Sequence, residues 1–125
     1  MSILEKNVLE SVKNQIGIYG EAPFDQELLT YINMSLATLA QIGVPFKAEP
    51  MVAVASSTYS EMLDDEILLG HIDAYLGLKT KLLFDPPPAS AVSNALSEAA
   101  KEAEWRIMVE CDNRYYKSSG GDDDG

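Results

Sequence analysis

Few side chains in this 125-residue sequence are placed to do chemistry. Asp64-Asp65-Glu66 is the densest acidic cluster, and neighbouring carboxylates bind a divalent cation when alternate residues converge on it. The spacing does not fit an EF-hand loop. It fits a helix N-terminus, where negative charge meets the positive end of the helix dipole, and that is the role expected here. Asp122-Asp123-Asp124 reads as a solvated chain end. His71 is the only histidine, and a general base would need a nucleophile or carboxylate partner that no spacing marks, so it is expected to be structural or exposed. Cys111 is the only cysteine, which excludes an internal disulfide and a Cys-based zinc site, fits a reducing compartment and suggests an inert thiol. Gly17 to Gly20 and Gly120-Gly121 lack the Lys and Ser/Thr that a phosphate-binding loop requires. No catalytic residue, metal or cofactor is expected.

The elements that would position side chains are helices. Ile3, Leu4, Val8, Val12 and Ile16 recur at helical spacing, which predicts a helix over residues 2–16 with Ser2 as its cap and Gly17 as its stop. After the break at Gly20 to Pro23, Asp25 can cap a second helix, with Phe24 and Leu29 as a hydrophobic staple. Leu28, Ile32, Leu36 and Leu39 form its stripe, and Gly43 and Pro45 end it. Val44 to Ser60 loses the period, which predicts a long loop with at most one short strand over Met51 to Ala55. Ser57 or Thr58 can cap a short turn, and Asp64 a third helix running to Phe84. That helix would bury Leu68, Ile72, Tyr75, Leu76, the stem of Lys79, Leu82 and Leu83, with interior Gly70 and Gly77 weakening it by about 1 kcal/mol each. Asp85 before Pro86, Pro87 and Pro88 makes a stiff elbow. Ser90 can cap the last helix, whose predicted stripe is Val92, Leu96, Ala99, Ala103 and Ile107. The order of elements, without alternating strands, predicts an all-α bundle of four to five helices with cores over residues 25–42, 65–84 and 90–110. Residues 1–117 form one helical domain in this reading, followed by an acidic, mobile tail over 118–125.

Trp105 lies off the small-residue stripe of its helix, so it either packs on a second buried face, the commoner outcome, or stands out as an anchor for a partner. Tyr115 and Tyr116 follow the last periodic residue and cannot both be buried by that helix. With Arg114 and Lys117 beside them they are either a binding end or a frayed terminus.

Hydrophobic residues make up 46% of the chain, enough for a single modest core. The net charge of -11 has no compensating basic cluster, which excludes a protein that grips nucleic acid by its phosphates. No signal-like N-terminus or span of ~20 apolar residues is present, so a soluble protein made in the cytoplasm is expected.

One combination is more specific. Ile72 to Phe84 followed by Asp85-Pro86-Pro87 and then Glu104-Trp105-Arg106, preceded by Phe24-Asp25, Ile32-Asn33 and Leu39-Ala40-Gln41-Ile42-Gly43-Val44, resembles the small head-to-tail connector (adaptor) proteins of tailed bacteriophages. The resemblance spans residues 24–110. Relatives often carry a tryptophan where this chain has Tyr59, and the acidic tail has no counterpart in the family pattern. The resemblance implies a structural protein of the virion neck, assembled in the host cytoplasm as a ring, a dodecamer, beneath the portal. Such a ring extends the DNA channel without sequence-specific binding and docks a downstream neck, stopper or tail-completion protein. It places Trp105, Arg106, Tyr115 and Tyr116 against the portal, and Met51 to Ser60, with Met51, Val52 and Tyr59, together with the segment after Cys111, against neighbours. The alternative is a small acidic regulatory protein that mimics DNA on a host factor. It accounts for the charge but not for the proline elbow.

Overall fold

A computed structural model describes residues 2–20 and 22–116. Four α-helices carry the fold among them: α1 (Val8–Gln15), α2 (Asp25–Gln41), α3 (Glu66–Phe84) and α4 (Ser90–Cys111). The all-α expectation holds. No helix among the described residues is long and apolar enough to cross a membrane. The acidic tail lies outside the described residues.

The first predicted helix is two pieces. Ser2 caps only a 3-10 turn, Ile3–Glu5, while α1 starts at Asn7, whose side chain accepts from the Glu10 amide. The interruption lets residues 6–8 pair with the loop, Val8 N–H donating to the Ser57 carbonyl and Tyr59 N–H to the Lys6 carbonyl. Gly17 at φ 82° and Gly43 at φ 114° supply the left-handed residues just past α1 and α2.

Three predicted caps are displaced. Asp25 is already helical because a 3-10 turn, Ala22–Phe24, runs straight into α2. Its carboxylate instead accepts from Lys13 Nζ at 2.9 Å, joining α1 to α2 through a lysine that is only 2% exposed. Asp65, not Asp64, caps α3 by accepting from Leu68 N–H at 3.1 Å, and Asp64 faces solvent and pairs with Lys47. Ala89 occupies the cap position of α4 without a side-chain acceptor, Ser90 being the first helical residue. The Thr58 turn forms as expected, with the Thr58 N–H donating to Glu61.

Met51 to Ala55 is extended but forms no strand. In place of a partner strand, the Asn33 side-chain amide meets Ala53 on both sides, donating to its carbonyl at 3.1 Å and accepting its N–H at 2.7 Å. Asn7 donates to the Ala55 carbonyl in the same way.

α3 is the central rod, with α1, α2 and α4 all packed against it. Its buried face comprises Leu68, Leu69, Ile72, Tyr75, Leu76 and Thr80; Leu83, expected inside, is exposed. Burying each such Leu or Ile contributes roughly 1.5–3 kcal/mol, and α2 faces it with a matching set, Leu28, Leu29, Ile32, Leu36 and Leu39. The stripe of α4 keeps Ile107 and Ala103 from the predicted one but adds Ala100 and Cys111 and leaves Val92 half exposed. The reason is a polar contact: Tyr75 donates to Glu104 at 2.6 Å and draws the Glu104 face of α4 onto α3.

Gly77 is buried where α1 crosses α3, and a Cβ there would run into the Gln15 side chain. The absence of a side chain therefore lets α1 approach. Gln15 then reaches Asp73, whose Oδ1 also accepts from Ser11 at 2.7 Å and from Tyr59 at 2.6 Å. One carboxylate oxygen thus ties α1, α3 and the end of the loop together. Asp73 and Tyr75 lie two residues apart, roughly 200° around the helix, so α1 and α4 flank α3 on opposite sides.

Candidate docking surfaces

The side chains with reactive potential are occupied or inert. Cys111 is fully buried, and burial together with Asp112 pushes its thiol up to about 11, so little thiolate exists near neutrality. The Asp64 to Glu66 acids serve Lys47 and the α3 N-terminus, as expected. His71 is exposed on α3.

Trp105 is 59% exposed, which corrects the expectation that it packs into the core. It lies on the outward side of α4 because Tyr75 fixes Glu104 inward, and it lines a shallow groove with His71, Arg106, Val109 and Glu110. Ile67, one turn before His71 on α3, is 61% exposed. Arg106 is held by Glu102 at 2.8 Å, so its charge is partly answered within α4.

A second apolar surface lies on the loop. Val52 and Val54 are both exposed while Ala53 between them is buried against Asn33, the alternation that an extended segment imposes. They line a groove with Gln26, Leu29 and Thr30 of α2, and exposed Met34 sits one turn beyond Thr30. Met51 is half-buried, and Tyr59 has no exposed surface at all, its hydroxyl bonded to Asp73. Tyr59 therefore fixes the loop on α3 rather than presenting a face.

A family model described as phage connector protein matches residues 8–114. The chain belongs to the phage connector protein family. This is a family of structural proteins of the phage particle. No curated protein and no solved structure matches the chain.

In this connector the elbow holds its predicted form. α3 ends at Phe84, Asp85 leaves the helical region, and Pro86 to Pro88 bridge to α4. The Phe84 ring stands edge-on to Phe24 with centroids 5.2 Å apart, closing the elbow end of the bundle.

The connector's C-terminal residues run on from α4 as a π-helical turn, Asp112–Tyr116. Tyr115 and Tyr116 are each nearly half exposed, yet both make hydrogen bonds inside the chain. Tyr115 donates to Asp65 Oδ2 at 3.0 Å, beside Arg114 Nε at 2.9 Å from the same oxygen, and Tyr116 donates to the Gly43 carbonyl at 3.0 Å. Sequence reasoning placed Asp65 only at the N-terminus of α3 and missed Asn7, Asn33 and Asp73, the residues that position these surfaces. Of these only Asn33, in the Ile32-Asn33 pair of the family pattern, carried any signal.

Proposed function

We propose that this connector assembles as a closed ring beneath the portal vertex, a dodecamer, extending the channel through which the genome passes and offering its far side to the next neck or tail protein. The observation that carries this reading is the placement of two unlike apolar surfaces. The Trp105, Ile67 and Val109 surface lies on α3 and α4, and the Val52, Val54 and Met34 surface on the loop and α2. A two-fold dimer uses one self-complementary patch twice, whereas two different patches built from different elements favour head-to-tail contacts that close into a ring. Aromatic anchors such as Trp105 are the residues most often decisive in such contacts. The acidic surface suits a channel in which DNA slides without adhering. In this proposal Trp105, which the resemblance placed against the portal, belongs to the contact between copies, while Arg106, Tyr115 and Tyr116 remain the end assigned to the portal; particle assembly in the host cytoplasm is part of the same proposal.

Trp105→Ala and Val54→Asp test the head-to-tail geometry. Each variant alone is expected to lose the ring on portal, and the two mixed are expected to give pairs, because only one intact contact survives between them. Rings restored by mixing would contradict it, as would rings formed by both single variants. Native mass measurement distinguishes these outcomes. The DNA-mimic alternative accounts for the net charge of -11 but for neither the elbow nor the family match, and Asp25, Asp65, Asp73 and Glu104 are engaged in internal contacts.

A further inference from the structure

The long loop between α2 and α3 is held in its middle by α1 and α2, through Asn7 on Ala55 and Asn33 on Ala53. Its two ends are held by something else. Gly43, at its start, receives the Tyr116 hydroxyl on its carbonyl, and the Tyr116 ring lies where a Cβ at this position would touch it. Asp65, at its end, receives Arg114 and Tyr115 on Oδ2 while Oδ1 caps α3. Three consecutive residues of one π-helical turn therefore grip both ends of one loop. Between Gly43 and the Asn33 anchor runs a limb, Val44 to Met51, that bounds a cleft of about 150 Å³ with Ala40 of α2. The limb also has ties of its own: Val44 is buried in the core with its amide donating to the Leu39 carbonyl, and Lys47 donates through its amide to the Met62 carbonyl while its ammonium meets Ser60 and Asp64.

We propose that the C-terminal turn is a releasable clasp: a partner that takes hold of Arg114, Tyr115 and Tyr116 frees the Gly43 to Pro50 limb and the first turn of α3, and so couples docking at the C-terminal end to the surface that Met51 and Val52 present to a neighbouring copy. The last clause rests on the ring reading above. All three gripping side chains are solvent-accessible, so a partner can compete for them without opening the core. Asp65 keeps its Leu68 cap through the other oxygen, so α3 survives release. The free chain is thereby held in one loop pose, and a bound chain is allowed another.

The test uses the full chain carrying Arg114→Gln, Tyr115→Phe and Tyr116→Phe together, and, separately, Asp65→Ser, which keeps a capping oxygen but loses the Arg114 charge pair. Hydrogen exchange is followed alongside native mass. Amides of residues 43–50 and 65–69 are expected to exchange roughly tenfold faster, while residues 53–58 and 72–80 stay as in the parent. Self-association is expected to begin at lower concentration. Unchanged exchange in 43–50 overturns the clasp, whatever the mass. Uniformly faster exchange across all helices also overturns it, since the turn would then be an ordinary part of the core. Faster limb exchange with unchanged mass upholds the clasp and places the failure on the ring reading instead.

Discussion

A single oxygen, Oδ1 of Asp73, accepts from Ser11, Gln15 and Tyr59, and so decides how α1, α3 and the loop meet. Removing the Tyr59 hydroxyl leaves the ring buried but deletes a hydrogen bond to a carboxylate. Tyr59→Phe is expected to cost about 1.5–3 kcal/mol in urea unfolding, with the fold retained by circular dichroism. The same residue gives the protein an alkaline limit. Burial and Asp73 raise Tyr59 above the ordinary value of 10.0, and burial with Glu104 raises Tyr75 likewise. A raised phenol binds its proton more tightly when folded. Its stabilising contribution is therefore complete below about pH 10 and is lost as pH climbs above that value through the folded-state range. Stability measured from pH 9 upward should fall, and the fall should be shallower in Tyr59→Phe and Tyr75→Phe. An equal slope in parent and variants would refute that assignment. None of this network was legible in the sequence, because Ser11, Tyr59 and Asp73 are far apart along the chain and each belongs to a residue type common on surfaces.

The helices themselves were legible where a backbone rule acts locally. Gly17, Gly43 and the Asp85-Pro86 junction end helices because left-handed φ or a missing amide leaves no alternative. The misread features are those set by tertiary contact. The α4 stripe shifted because Tyr75 captured Glu104, and the predicted strand became an Asn33-bound segment because one side chain supplied both hydrogen bonds of a missing neighbour. The two interior glycines of α3 separate the local rule from the tertiary one. Gly70 is exposed with open space around it, so Gly70→Ala is expected to stabilise the protein by about 0.5–1 kcal/mol. At Gly77 the same helix-propensity gain is opposed by displacement of Gln15 from Asp73. Gly77→Ala should therefore melt no higher than the parent, and thermal unfolding of the two variants side by side checks the contrast.

At the scale of the molecule, the sequence carried the family through the elbow and its flanking motifs, and the described residues and the family match agree on a helical connector. The surfaces were only partly legible. Trp105 was ambiguous from spacing alone, Val52 and Val54 stood within the loop marked for neighbours, and Met34 and Ile67 had no signal because an exposed apolar residue follows the same periodicity as a buried one. The central claim is that these two unlike faces build a ring on the portal. Native mass measurement of the purified chain, alone and with isolated portal rings, tests it most directly. The account predicts a portal complex carrying one fixed number of connector copies, and a chain that remains monomeric and leaves the portal mass unchanged would contradict it.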